Sequence, residues 1–377
     1  MRLFVSLRSV ASRRKFLLMS AVPLAIALKA CQGNPADPKA PEATEGTTPA
    51  NPSATVDSAQ VSLYGAGATF PSFLYLRWFK DYNQQNPNIQ ISYQPVGSAA
   101  GIQQFLAGTV DFGASELALT DQELMQVTRG AAMIPTAAGS VAVVYNIAGV
   151  ESGLKLSRKI LPDIFLGKIK KWNDPAIASL NPNVTLPDLP ITVIHRSDGS
   201  GTTAAFTAHL SATSPEWKNE VGTGLNVSWK TGTGIKDNAG ISAQVQQGEG
   251  VIGYVEYAFA KQLNLATAAL ENKSGQFALP TEDGTAKAIA TIKLSEDLRG
   301  SNPDPDATDA YPIVTYSWVL AYQQYDDPKQ AQALKDVLKW GLTQGQAMGL
   351  ELGYVPLPEA IVKKAIAALD KIGSRKK

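Results

Sequence analysis

From residue 61 onward the chain alternates two hydrophobic patterns. Short apolar runs predict strands at Val61–Tyr64, Ile89–Pro95, Val110–Ala114, Ser140–Asn146, Ile191–His195, Val251–Tyr254 and Ile313–Leu320. Between them, apolar residues recurring every three or four positions predict helices over Pro71–Gln85, Gly101–Gly108, Asp121–Thr128, Pro162–Leu166, Thr202–Leu210, Ala239–Gly248, Pro328–Gln344 and Pro358–Ile372. In the first helix Phe73, Leu76, Phe79 and the ring of Tyr82 share one stripe, which reads as a core face, and Pro71 suits a first turn. Strand–helix alternation without an internal repeat predicts an α/β body with largely parallel sheets. Lobe boundaries fall near Pro135–Ser140 and near Tyr311–Ser317, giving residues 61–137 and 316–377 to lobe 1 and residues 138–315 to lobe 2.

The first 60 residues follow neither pattern. Residues 1–30 hold Arg2, Arg8, Arg13, Arg14, Lys15 and Lys29 and no acid, with an apolar run from Phe16 to Leu28. That run is short for a membrane span and is broken by Pro23, so it reads as a signal peptide. Ser12-Arg13-Arg14-Lys15-Phe16-Leu17 is similar to a twin-arginine export signal, and Leu28-Lys29-Ala30-Cys31 is similar to a bacterial lipobox with Cys31 as the lipid acceptor. Residues 31–60 carry Pro35, Pro38, Pro41, Pro49 and Pro52 and no aromatic, the composition of a disordered tether. Such a tether reaches on the order of 30 Å from its anchor.

Composition then narrows the chemistry. The 377 residues include 34 Lys+Arg, 33 Asp+Glu, 2 His and a single Cys. One Cys excludes an intramolecular disulfide framework and Cys-rich metal centres, and two His argue against a His-based metal site. Without residues 1–30 the balance is 28 basic to 33 acidic residues, a net of −5, and no basic run in the body suggests a nucleic-acid partner.

Three strand-to-helix junctions share one chemistry: Gly65-Ala66-Gly67-Ala68-Thr69-Phe70-Pro71, Gly97-Ser98-Ala99-Ala100-Gly101 and Arg196-Ser197-Asp198-Gly199-Ser200-Gly201-Thr202-Thr203. Each sets small residues and a hydroxyl where a helix exposes unpaired N–H groups. One Ser or Thr before a helix is ordinarily a cap. Three such junctions in an exported protein favour an anion receptor, with Arg196 as the one formal positive charge. Enzyme signatures fit less well. No phosphate-binding Gly-Lys-Ser/Thr loop is present, Asp198 stands where a nucleophile elbow around Ser200 needs Gly, and neither His has an evident orienting partner. His195 reads as an end-of-strand structural residue and His209 as surface or core edge. Gly222–Gly224 and Gly232–Gly234 read as loops.

Together with Thr109-Val110-Asp111-Phe112-Gly113-Ala114-Ser115, Phe165-Leu166-Gly167-Lys168-Ile169-Lys170-Lys171-Trp172 and Ile252-Gly253-Tyr254-Val255-Glu256-Tyr257-Ala258, the first and third junctions resemble the phosphate-binding proteins of bacterial ABC phosphate importers. The resemblance runs from about residue 61 to the C-terminus. It implies a two-lobed α/β periplasmic-binding-protein fold of type II, crossed twice by the chain, with phosphate enclosed between the lobes. It implies that Thr69, the Phe70 backbone, Ser98, Asp111, Arg196, Ser200, Gly201 and Thr202 hold phosphate, with Asp198 orienting Arg196. Asp111 enters on the resemblance alone: an ionised Asp111 would accept the proton that phosphate keeps and repel sulfate, which has none. The sequence departs from the family at Ala99-Ala100, at Glu116 where Asp is common, and at His195 where a basic residue is frequent.

The resulting expectation is a monomeric, lipid-anchored phosphate receptor, periplasmic or at the cell surface. It would hold no cofactor or metal, have no enzymatic activity, and deliver phosphate to a membrane-embedded ABC permease. A phosphate sensor or surface-interaction protein is the alternative, and an exported phosphatase stands further off. Cys31→Ser is expected to move the protein into the soluble exported fraction, because Cys31 is the sole thiol. Fractionation after salt and carbonate washing checks this; a variant that stays on the membrane refutes the lipobox.

Overall fold

The computed structural model describes residues 60–375. The expected export signal, the lipid site at Cys31 and the tether lie outside the described residues. Eight strands build the main sheet: β1 (Val61–Gly67), β2 (Ile89–Pro95), β3 (Phe112–Ser115), β4 (Ala131–Tyr145), β5 (Thr192–Arg196), β6 (Thr233–Ile235), β7 (Val251–Glu256) and β8 (Val314–Tyr322). Their order is β2-β1-β3-β8-β4-β7-β5-β6, with Ala266–Thr267 added against β4. The principal helices are α1 (Ser72–Gln85), α2 (Ser98–Ala107), α3 (Asp121–Gln126), α4 (Ile160–Phe165), α5 (Gly201–Thr213), α6 (Asp237–Gln247), α7 (Pro328–Thr343) and α8 (Glu359–Leu369). Among the described residues no helix is long and apolar enough to cross a membrane.

The sheet is mixed rather than largely parallel. Parallel pairing holds on the flanks, between β1 and β2, β1 and β3, β5 and β7, and β5 and β6. The centre is antiparallel, because β8 returns late in the chain between β3 and β4, and β4 then pairs antiparallel with β7. Hydrophobic runs do not encode strand direction, so the alternation of elements could not reveal this inversion. β4 spans the junction. Residues 131–140 pair with β8 and residues 141–145 with β7, so one buried strand belongs to both halves of the sheet. The register slips between Ser317 and Trp318, opposite Pro135, which has no N–H to give to the ladder.

Helix α1 buries Leu74, Tyr75, Trp78, Phe79 and Tyr82. Leu76, expected in the stripe, is 50% exposed, and Phe73 is half-buried against Phe259 with ring centroids 4.5 Å apart. The core face therefore lies one position round from the one expected, centred on Tyr75, Phe79 and Tyr82. Pro71 occupies the N-cap position rather than the first turn. His209 is fully buried on α5 with Nδ1 2.9 Å from the Pro303 carbonyl, so it is a core residue rather than an edge one. Burial lowers its pKa to about 4. Gly232–Gly234, read as a loop, runs into β6 instead.

Close packing of α2 on β1 depends on a missing side chain. A β-carbon on Gly101 would lie 2.4 Å from Gly67 Cα and 2.9 Å from the Ala66 and Ala114 carbonyl oxygens. These are backbone atoms of two strands and cannot step aside. Gly101→Ala would improve helix propensity by about 1 kcal/mol, yet overpacking of this kind costs typically 1–3 kcal/mol and more against backbone. The variant is expected to unfold at lower denaturant concentration than the parent; an equal or higher midpoint in chemical denaturation would contradict this packing.

Candidate anion-binding site

The three Gly- and hydroxyl-rich junctions come together. In the loop from β1 to α1, Thr69 is 5% and Phe70 0% exposed. Ser98 opens α2, and the segment Arg196–Thr202 leads from β5 into α5. Backbone and side-chain bonds stitch them: the Ala99 N–H donates to the Gly199 carbonyl at 3.0 Å, and the Gly201 N–H donates to Ser98 Oγ at 3.0 Å. Asn238, the second residue of α6, donates from Nδ2 to Thr69 Oγ1 at 2.9 Å, while its Oδ1 accepts from the Glu256 N–H at 3.3 Å. The neighbouring Asp237 N–H donates to Asp198 Oδ1 at 3.0 Å, which closes the ring of contacts around the site.

Arg196 is the one buried cation among the described residues, with its side chain 1% exposed. Its Nε donates to Asp198 Oδ1 at 2.7 Å and its Nη2 to Asp198 Oδ2, a bidentate pair. Burial would raise the Asp198 carboxyl, but the guanidinium outweighs it and holds Asp198 below the usual carboxylate range. The third nitrogen, Nη1, is buried without a hydrogen-bond partner among the described residues. A buried N–H of a charged group left unpaired costs more than an ordinary lost bond, so this atom marks where an acceptor belongs. Ser200 caps α5, its Oγ accepting from the Thr203 N–H at 3.1 Å, and Thr202 in the first turn is 1% exposed.

Asp111 is not in this assembly. It precedes β3, where its N–H donates to the Tyr64 carbonyl at 2.7 Å and its Oδ2 accepts from the Tyr64 N–H at 2.7 Å. Gln330 Nε2 of α7 approaches its Oδ1 at 3.4 Å. β3 carries the chain from Asp111 toward the site, and five residues of strand put Asp111 about 16 Å from Glu116. The carboxyl at the site is therefore Glu116, just beyond the C-terminal end of β3 and 6% exposed. Ser98 Oγ donates to its Oε2 at 3.0 Å and Ser317 Oγ of β8 to its Oε1 at 2.7 Å. A β-carbon on Gly201 would sit 2.3 Å from Oε2, so the carboxyl lies directly against the start of α5. Burial raises the Glu116 pKa to about 7, against the opposing pull of Ser317, Ser98, the Arg196 charge and, last, the residue's own backbone N–H. The sequence did hold a signal. In open α/β sheets ligands bind beyond the carboxyl ends of parallel strands, which favours Glu116 over Asp111. Asn238 carried no comparable signal beyond its place at a helix start.

The remaining candidates serve structure. The His195 ring stacks on Trp229 with centroids 4.4 Å apart, and burial lowers its pKa. Lys168 pairs with Glu216 and Asp163, while Trp172 is buried with Nε1 donating to the Gly250 carbonyl at 3.0 Å. Among the described residues no cluster of His, Cys, Asp and Glu could hold a metal ion.

The chain resembles known proteins in sequence and in fold. The family model described as PBP superfamily domain matches residues 45–344. The "Phosphate-binding protein PstS" of Pasteurella multocida is 43% identical over 308 residues, which is 80% of this chain and 88% of that protein. The protein of the same name from Xylella fastidiosa is 42% identical over 325 residues, 85% of this chain and 88% of the other. Among solved structures, a "high affinity periplasmic phosphate-binding protein (PfluDING) bound with phosphate" superposes with a TM-score of 0.65 at 20% identity, covering 81% of this chain and 93% of that one. That structural likeness establishes the α/β fold of periplasmic binding proteins expected from the sequence.

The raised Glu116 pKa makes a signed prediction for the ligand-free protein. Below about 4.5, the ordinary glutamate value, the carboxyl is protonated whether folded or unfolded and its contribution is fully present. As pH rises toward about 7 the unfolded chain ionises first, so folded-state stability falls. Relative to Glu116→Gln, the parent should lose up to roughly 3 kcal/mol between about pH 4.5 and about pH 8. Denaturant titrations of both proteins across that range test it; parallel stability curves would show that burial does not raise this group.

Proposed function

We propose, for a chain that belongs to the PBP superfamily and within it to the phosphate-binding proteins named PstS, that it captures inorganic phosphate outside the cytoplasmic membrane and hands it to an ABC phosphate permease. It works as a binding protein and not as an enzyme, in keeping with the names of these relatives. The observation that carries the reading is the unpaired Nη1 of Arg196, a buried, charged donor beside three hydroxyl- and glycine-rich junctions. A tetrahedral anion there would accept from Nη1, from the N–H groups at the starts of α2 and α5, and from the hydroxyls of Thr69, Ser200 and Thr202, with Ser98 joining them where its O–H turns from Glu116 to the anion. Phe70 contributes backbone.

Glu116 takes the role first assigned to Asp111. An ionised carboxylate beside an anion is costly unless the anion donates to it, and phosphate at neutral pH always keeps a proton to donate. Sulfate keeps none. Asp198 holds the Arg196 fork in place through the bidentate pair. The division into lobes belongs to the same reading. β4 changes partner between Ser140 and Val141, which supports residues 61–137 with 316–377 as one lobe and 138–315 as the other. So does the export design: a twin-arginine signal, a lipid on Cys31 and a tether would leave a monomeric receptor at the outer face of a membrane, within reach of its permease.

Arg196→Ala removes the cation and leaves Asp198 without its partner, beside an incoming anion. Charge-assisted hydrogen bonds are worth roughly 1.5–3 kcal/mol each, so calorimetry should find phosphate binding weakened by about a hundredfold or more. An affinity within a few-fold of the parent would remove Arg196 from the site and the proposal with it.

A further inference from the structure

Asn238 is fully buried, and its neighbours leave its side-chain amide one orientation. Its Oδ1 accepts from the Glu256 N–H at the end of β7, at 3.3 Å, and that backbone group can only donate. The amide oxygen must therefore face β7, which turns the NH2 group to Thr69 Oγ1 at 2.9 Å. An amide NH2 cannot accept. Thr69 Oγ1 is thus obliged to accept, and its own proton points elsewhere. Among the described residues nothing takes that proton, since the bond from Asn238 is the only one the hydroxyl makes there. Ser98 offers the contrast: its oxygen also accepts, from the Gly201 N–H, but its proton is committed to Glu116.

We infer that Asn238 is a positioning residue for phosphate binding: from across the cleft it fixes the Thr69 hydroxyl as a donor to the anion, and it does so only when the lobes are closed. The inference rests on the phosphate reading and on its division into lobes, which gives Thr69 to residues 61–137 and Asn238 to residues 138–315. With Thr69 and Arg196 both buried, an anion enters only if the lobes part, and the bond between Thr69 and Asn238 then breaks. The residue before Asn238 keeps it in place for closure. Asp237 turns the chain into α6 in the left-handed region, at φ 55°, a conformation that Asp tolerates. Its Oδ1 accepts from the Gly240 N–H at 2.7 Å, and its N–H donates to Asp198 Oδ1 at 3.0 Å, so the start of α6 is tied to the partner of Arg196. A bond absent from the open form and present in the closed one contributes to affinity even though Asn238 is not itself a ligand. An ordinary neutral hydrogen bond corresponds to about fivefold.

The test is calorimetry of inorganic phosphate at a single pH on the parent, Asn238→Ala, Thr69→Val, Thr69→Ser and the two double variants, with chemical denaturation to confirm folding. Asn238→Ala should weaken binding about fivefold in the parent, and about as much in Thr69→Ser, which keeps a hydroxyl for the amide to orient. Thr69→Val should weaken binding about tenfold or more by removing a donor to the anion. Adding Asn238→Ala to Thr69→Val should then change affinity by less than about twofold, because the amide has no hydroxyl left to act on. If Asn238→Ala does not fold, Asn238→Thr, of nearly the same volume and with a hydroxyl too short to reach Thr69, replaces it in each comparison. A residue that served only to hold α6 in place would cost the same in all three backgrounds, and that result overturns the inference. An Asn238→Ala or a Thr69→Val protein that binds as tightly as the parent overturns it too. In each of these cases the parent still binds phosphate and the phosphate reading stands. A parent that takes no phosphate overturns that reading, and the inference falls with it.

Discussion

The buried guanidinium of Arg196 is the constraint on which the site depends. A cation with its side chain 1% exposed has lost its water and must be repaid by fixed partners. Asp198 supplies two bonds, and it is in turn held by the Asp237 N–H at the start of α6. That fixes the β5–α5 loop to α6, and Asn238 in the next position reaches Thr69 in the β1–α1 loop. One charge pair thereby sets three loops in register. Its Nη1 is left buried and unpartnered among the described residues, so the pair is not satisfied without a further acceptor.

Elements were legible in the sequence; their directions and one key residue were not. Strand Ile89–Pro95 has the same bounds in sequence and structure, and the other expected strands and helices are present with ends displaced, because apolar periodicity records burial locally. The antiparallel centre escaped because β8 enters the sheet from about 200 residues beyond β3, and nothing local marks that pairing. The stripe on α1 was displaced for a similar reason: Tyr75 and Trp78 are drawn inward by partners from elsewhere in the chain, Thr136 and the Gly345 carbonyl, at the expense of Leu76.

Asp111 lies apart from the other expected ligands for a different reason. The motif that carries the resemblance has one Asp in it, and that Asp stands before β3 while Glu116 stands after it. Asp111 bonds the backbone of Tyr64 on the neighbouring strand, an edge role that an acid before a strand often fills. Glu116 stands past the other end of the same strand, one methylene longer than the usual Asp, and that length lets it lie against Gly201 while Ser98 and Ser317 hold its two oxygens.

A site for an anion is thus built with almost no net positive charge. Asp198 cancels Arg196 at close range, and Glu116 adds either nothing or one negative charge. Coulomb attraction to a cation cannot then be the main source of binding. The work falls to dipoles fixed by the backbone: N–H groups at the starts of α2 and α5, and hydroxyls already oriented by other bonds. Such groups cost little to desolvate compared with extra lysines or arginines, and they do not collapse onto one another when the ligand leaves. They also discriminate by hydrogen-bond sense rather than by charge, since the backbone N–H groups can only donate, while an ionised Glu116 can only accept. On the proposed reading, selectivity between oxyanions of like size and charge would rest on the proton count at a single position, which a highly charged site would mask.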